Sequence, residues 1–220
     1  MQGWTDWHSH ILPGVDDGIK TMADSLKVLD YYEQQGVAEV WFTPHIMADT
    51  PNETEFLQIR FEKFKAIYKG SIQLHLAAEH MIDRLFEQRL EEDDFLPYTD
   101  RCLLVETSYL NPPINLWDIL EKIHAKGYHP ILAHPERYVY MEQEDYERLV
   151  NMEVELQLNL SSVCGLYGRS AMMKSMWLLQ KGYYHLCGSD IHRLDVTSSY
   201  FNKKVISKDI IKAIRETIEL

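Results

Sequence analysis

The sequence predicts an α/β fold built on a parallel sheet, and three observations carry that expectation. Segments rich in β-branched and aromatic residues alternate with amphipathic segments along the whole chain, as in strand–helix–strand crossovers. Glycines stop the amphipathic segments, at Gly36, near Gly70, at Gly127 and at Gly182. Metal-binding side chains gather at the C-terminal ends of the strand-like segments, where the active sites of parallel α/β barrels are built.

The first strand runs into Asp6-Trp7-His8-Ser9-His10, and a loop follows through Pro13-Gly14 and Asp16-Asp17-Gly18. In an extended chain His8 and His10 point the same way, because side chains alternate across a strand. The loop can then fold a carboxylate, Asp17, back toward them. Thr21 to Gln35 reads as a helix, with Leu26, Leu29 and Tyr32 among its apolar positions. Ala38 to His45 reads as a strand, since Val40, Trp41, Phe42 and Thr43 favour extended structure. Ile46 to Thr54 is a polar loop, Glu55 to Tyr68 a helix and Ser71 to Glu79 a strand. Met81 to Pro97 is acidic and partly helical, and its Glu91-Glu92-Asp93-Asp94 run is a solvated surface. Strands are then expected at Arg101–Glu106, His129–His134, Glu153–Leu160 and Tyr184–Ser189. Helices are expected at Pro113–Lys126, Glu142–Asn151, Arg169–Lys181 and Ser207–Leu220. A barrel and an open doubly wound sheet both fit seven such strands. No Gly-rich phosphate loop follows the first of them.

The chain of 220 residues reads as a single domain over 1–220, with 45% hydrophobic residues to build its core. No stretch approaches the roughly 18 apolar residues that span a membrane. The N-terminus lacks a basic segment followed by an apolar run, so no signal peptide is expected. Three cysteines, Cys102, Cys164 and Cys187, form no CxxC pair and read as reduced thiols of a cytoplasmic protein. A net charge of −12 disfavours nonspecific binding to nucleic acid or anionic membrane.

Eight ligand-type residues mark the strand ends: His8 and His10, His45, Glu79, Glu106, His134, and the pair Asp190 and His192. Only the sixth strand lacks one, ending near Asn159 and Ser161. Asp17 makes a ninth. Imidazole mixed with carboxylate suits zinc, manganese or iron. Nine ligands exceed the needs of one ion, so two or three are expected. Three divalent ions against four carboxylates would leave a surplus of about two positive charges, which suits a phosphate dianion. Arg137 follows His134 by three residues and can reach over the cluster; the bland reading is a surface arginine paired with Glu136 or Glu142. His124, His129 and His185 read as non-ligands, His80 has the wrong parity, and His75 reads as a hydrogen-bonded interior residue. Asp6 is either a partner to a ligand histidine or a plain polar strand residue. The Gly165-Leu166-Tyr167-Gly168 segment either shapes the substrate mouth or is a turn before the next helix.

The order His8-x-His10, Asp17, His45, Glu79, Glu106, His134, Asp190-x-His192 resembles the polymerase and histidinol phosphatase (PHP) superfamily. More narrowly, His8 to Gly18, Thr43-Pro44-His45, Ala133 to Arg137 and Gly188 to His192 resemble the bacterial manganese-dependent protein tyrosine phosphatases of capsular and exopolysaccharide operons. The resemblance implies a distorted seven-stranded β/α barrel and a trinuclear metal site. It implies manganese as the metal, with iron, zinc, cobalt and magnesium as alternatives. It implies hydrolysis of phosphotyrosine by a metal-bound hydroxide, in the tyrosine-rich tail of a membrane-associated bacterial kinase, and so control of polysaccharide export. Arg137, Asp190 and His192 are then the expected catalytic residues. Relatives carry a second phosphate-binding arginine at a place that falls near Thr197 here, so Arg193 is the candidate replacement. The runner-up is a histidinol-phosphate phosphatase or another small-molecule phosphoesterase of the superfamily. A nuclease lacks its basic track. A cysteine phosphatase needs Cys-x5-Arg, and Cys164 has Ser170 at that place.

Overall fold

A computed structural model describes residues 3–193, 212, 214, 215 and 218. Among them are nine strands: β1 Trp4–Ser9, β2 Val37–Phe42, β3 His45–Ile46, β4 Gln73–Leu76, β5 Glu79–Met81, β6 Cys102–Glu106, β7 His129–Ala133, β8 Glu155–Asn159 and β9 Tyr184–Gly188. The helices are α1 Met22–Gln35, α2 Thr54–Ile67, α3 Phe86–Glu92, α4 Leu116–Ala125, α5 Gln143–Asn151, α6 Leu160–Val163 and α7 Gly168–Lys181. Most of the expected helix over Ser207–Leu220, and Thr197 with it, lies outside the described residues.

The fold is α/β with two parallel sheets, one ordered β1-β2-β4 and the other β3-β5-β6-β7-β8-β9. The alternation of strand and helix thus gives the parallel pairing that crossovers require. Strands β6 and β7 are buried along nearly their whole length, as expected where helices cover a parallel sheet. Helix α1 starts where the sequence places it, with the Thr21 hydroxyl accepting from Asp24 N at 3.1 Å. It stops at Gly36, whose φ of 81° is left-handed and cheap only for glycine. The short helix α6 was not expected; the Asn159 side chain caps it by accepting from Ser161 N.

Two expected strands are each broken in two. The stretch Ala38 to His45 divides into β2 and β3 at Thr43-Pro44, and Ser71 to Glu79 divides into β4 and β5 at Ala77-Ala78. Proline has no N–H for a ladder, so pairing lapses there. Across the breaks the chains stay in step: Ala77 N donates to Phe42 O at 2.9 Å and Glu79 N to Pro44 O at 3.1 Å. Beyond the break His45 pairs with Glu79 in the second sheet. On the other side Ser9 bridges Ile191 in parallel, and Asp190 N donates to His8 O at 2.8 Å. The first and last strands therefore adjoin. A small buried cluster of Trp41, Ala77, Tyr98, Leu104, Ile131 and Ala133 draws on strands of both sheets, with Trp7 stacked on Trp41 at 5.6 Å.

Candidate metal centre

The strand ends converge. His8 and His10 are buried, their Nε2 atoms 3.1 Å apart. Glycine makes two of the approaches possible. A Cβ on Gly188 would lie 2.2 Å from the His8 Cβ, and one on Gly18 would lie 2.3 Å from His10 O, so β9 and the loop after β1 can close on the histidines only as glycine. All nine residues expected from the sequence then fall into four overlapping groups whose ligand atoms lie within 4.8 Å of one another. These are His10, Asp17, His45 and His192; His8, Glu79 and His134; His8, His10 and Asp190; and His45, Glu79 and Glu106.

Glu79 is the hub. Its Oε2 lies 3.2 Å from His8 Nε2, 3.4 Å from His10 Nε2 and 3.1 Å from His45 Nδ1, while Oε1 meets His134 Nε2 at 2.9 Å. Burial alone would raise its pKa, but the surrounding imidazoles hold it well below the usual carboxylate range. Asp190 behaves alike, for the same reasons. Burial and the neighbouring His10 push His45 down, yet Glu79 and Glu106 outweigh them and carry it up to about 9.

One pair tests whether a divalent cation fits. His45 Nδ1 and Glu106 Oε1 are buried and 3.0 Å apart, yet neither makes a well-directed hydrogen bond among the described residues. Buried polar atoms nearly always have one. Two such atoms, close but not aimed at each other, suit a shared cation, and the imidazole–carboxylate donor set fits that charge.

Other residues fix the orientation of the rings. Gln157 Oε1 takes His8 Nδ1 at 2.6 Å, and Asp16 Oδ2 takes His10 Nδ1 at 2.8 Å. Asp16 also accepts from Gly18 N and His45 N, so it holds the loop in place. Sequence reasoning took Asp17 from the Asp-Asp pair and overlooked Asp16 and Gln157. Gln157 carried a signal, as the one polar residue between Leu156 and Leu158 on a buried strand. Asp6 meets the backbone of His8 and, among the described residues, no imidazole. It accepts from His8 N, Ser189 N and the Tyr32 hydroxyl, clasping β1 to the end of β9, and burial raises its pKa to about 6. His134 and Asp190 have φ of 36° and 53°, a left-handed conformation rare outside glycine. Such strain collects at functional sites.

Arg137 stands on the turn after β7. Its Nη1 donates to Asp190 Oδ2 at 2.7 Å, and Asn159 Nδ2 donates to the same oxygen at 2.7 Å. The guanidinium carbon lies 4.3 Å from the Tyr109 ring centroid and 4.0 Å from that of Tyr167. Arg137 is therefore paired with neither Glu136 nor Glu142. Glu136 is buried instead, accepting from Asn159 N at 3.1 Å and from the Tyr184 hydroxyl at 2.8 Å. The Gly165–Gly168 segment is a turn that leads into α7, which begins at Gly168, and its Tyr167 ring meets Arg137. Arg193 is exposed, next to His192.

The remaining histidines lie outside the groups. His80 points away from the cage, is held by Leu104 O at 3.2 Å, and burial lowers its pKa to about 4. His75 is not interior: β4 is an edge strand, so the ring is partly exposed, pairs with Glu39 at 3.1 Å and stacks on Trp41. Cys164 is half-buried and its thiol is pushed up to about 11 by desolvation, the opposite of an activated nucleophile. No described helix is long and apolar enough to cross a membrane.

A model of the family described as capsular polysaccharide synthesis, CpsB/CapC, matches residues 4–215. Among curated proteins, the chain is 29% identical to tyrosine-protein phosphatase CpsB of Streptococcus pneumoniae, over 90% of this chain and 86% of that one. It is 28% identical to tyrosine-protein phosphatase YwqE of Bacillus subtilis, over 86% of this chain and 77% of that one. Among solved structures it is similar to a chain from the crystal structures of YwqE from Bacillus subtilis and CpsB from Streptococcus pneumoniae, described as unique metal-dependent tyrosine phosphatases. There the TM-score is 0.77 at 25% identity, covering 97% of this chain and 92% of that one. A phosphotriesterase homology protein from Escherichia coli, complexed with phosphate in its active site, shares the fold at a TM-score of 0.57 and 10% identity, covering 98% of this chain and 92% of that one.

Proposed function

The chain belongs to the CpsB/CapC capsular polysaccharide synthesis family, and from that premise we propose that it is a metal-dependent protein tyrosine phosphatase. The observation that carries this reading is the set of four overlapping ligand groups with Arg137 attached to their edge through Asp190. His8, His10, Asp17, His45, Glu79, Glu106, His134, Asp190 and His192 hold two or three divalent ions, manganese first among them. Bound there, the ions supply Lewis acidity to the phosphate and to the attacking water.

The chain's own residues do the rest. Glu79 and Asp190 draw the imidazoles together, and Gln157 and Asp16 fix the tautomers of His8 and His10, which leaves each Nε2 facing the cage. Arg137 presents a planar fork that can donate to two phosphate oxygens, and Asp190 joins that fork to the cage. His192, more exposed than the other cage histidines, stands with Asp17 at the solvent side, and Arg193 beside it is the candidate second anion contact. No thiol takes part.

The substrate is a phosphotyrosyl protein, and the family's link to capsule synthesis points to a membrane-associated bacterial tyrosine kinase in the cytoplasm. Residues 1–220 act as one domain. Its two sheets join as a distorted seven-stranded barrel in which β2 with β3, and β4 with β5, each count as one broken strand; the contact of β1 with β9 supports that closure.

The test is metal analysis beside turnover of a phosphotyrosyl peptide and of histidinol phosphate, before chelation, after it, and after manganese is restored. Loss and recovery of the peptide activity are expected, with histidinol phosphate the poorer substrate. Full activity in the metal-free protein would end the proposal.

A further inference from the structure

Large exposed apolar side chains are unevenly placed. Among the described residues, Phe56, Ile59 and Ile67 lie on α2 and Met173 on α7, while Tyr109, Leu110, Ile114, Val139, Leu166 and Tyr167 lie on the connections after β6, β7 and β8. These three connections leave strand ends that carry Glu106, His134 and Asn159, and among these side chains Tyr109 and Tyr167 meet the candidate site, through Arg137. The loops also support each other: Val139 N donates to Tyr109 O at 2.9 Å, and Thr107 N to the Tyr138 hydroxyl at 3.1 Å. Solvated loops do not ordinarily gather apolar residues this way, and such patches mark interaction sites.

At the centre of the patch the two tyrosines clasp the Arg137 guanidinium, 4.3 Å and 4.0 Å from its carbon. Each is more than a third exposed despite that contact, Tyr109 by 37% and Tyr167 by 38%. Tyr109 also packs on His134, at 5.8 Å between ring centroids, so it adjoins the cage as well as the arginine. The Tyr109 hydroxyl makes no hydrogen bond among the described residues, so the ring is not held for its polar end. A phosphate gripped by Arg137 places its ester substituent beside whatever flanks Arg137. Here that is aromatic surface on both sides.

We infer that Tyr109 and Tyr167 are specificity residues of the mouth, selecting aryl over alkyl phosphate monoesters by packing against the substrate ring while they hold Arg137. This rests on the phosphatase reading above and adds to it the recognition of the ring. The offset and edge-to-face contacts that aromatic pairs prefer need only the exposed ring edges. A methyl or seryl phosphate has no ring to offer them, and leaves the wall wet.

The experiment measures binding of phenylphosphonate and methylphosphonate to the metal-loaded enzyme by calorimetry, with turnover of a phosphotyrosyl peptide alongside. The wild type is expected to prefer the phenyl compound. Tyr109→Ala and Tyr167→Ala should each lower that preference by up to about tenfold, the scale of one aromatic pair. Tyr109→Phe and Tyr167→Phe should keep it, because the ring remains. Equal weakening of both ligands in the alanine variants would mean that the tyrosines only support Arg137, and would overturn the inference. So would an unchanged preference, no preference in the wild type, or a loss in the phenylalanine variants as large as in the alanine ones. Failure of the phosphatase reading looks different: the wild type would then not turn over the peptide at all.

Discussion

The two sides of the rim are built from different materials. On the side of β1, β3 and β9, the loops bring His10, Asp17, His45 and His192 together, with Asp16 behind them. On the side of β6, β7 and β8, the strand ends give Glu106 and His134, but the loops beyond them carry Arg137 between two tyrosines. One side is a polar cage, and the other is a cation set in an aromatic wall. The difference teaches a division of labour. On the function proposed above, the polar side would hold the ions and the aromatic side would meet the phosphate ester. Glu79 and Asp190 join the two, Glu79 by touching histidines from both sides and Asp190 by its bond to Arg137.

That division can be broken at three depths. The deepest cut is Glu79→Gln, which removes the charge that holds four histidines together. Turnover of a phosphotyrosyl peptide should fall by roughly 10³-fold or more, the loss expected when metal catalysis is removed, and metal content measured by atomic emission should fall with it. Normal metal content in this variant would refute Glu79 as the hub. Next is Arg137→Ala on the aromatic side, expected to lower turnover by roughly 10²-fold, as for one transition-state donor, while the metal content stays at the wild-type level. Arg137→Lys should recover only part, since an ammonium lacks the planar fork. If Arg137→Ala also lost its ions, the two sides would not be separable. The mildest change is Gln157→Leu or Asp16→Asn. Each frees a ring to turn and should weaken metal binding by about 10- to 100-fold, seen as activity that excess manganese restores. Activity that excess manganese fails to restore would mean these residues do more than orient rings.

Much of the polar side was legible in the sequence, because eight of the nine candidate residues fall at the C-terminal ends of the expected strands, which can be read from local pattern. The nine residues could be named before their contacts were known. The pairings of their supports were not legible. Gln157 stands out as a polar residue on a buried strand, but it meets His8 across 149 positions of chain, a pairing that no local pattern encodes. The strand breaks at Thr43-Pro44 and Ala77-Ala78 were also missed. Pro44 was a readable break, passed over in the extended run from Val40 to Thr43, whereas at Ala77-Ala78 only the change of partner from one sheet to the other shows the interruption. His75 was placed inside on parity alone, which cannot tell an edge strand from a central one. The aromatic side was the least legible. Arg137 was named, but its neighbours come from separate loops, and a tyrosine in a loop carries no mark of what it will stack on.

The clasp between β1 and β9 has a consequence for the order of events in time. Asp6 accepts from Ser189 N across 183 positions, and Asp190 N reaches back to His8 O. His8 and His10 precede Asp190 and His192 by most of the described chain. Contacts so distant in sequence form late, since their loop-closure cost comes before any gain. The group of His8, His10 and Asp190, and the one that includes His10 and His192, are therefore complete only once β9 lies against β1, so their ability to hold an ion depends on that closure.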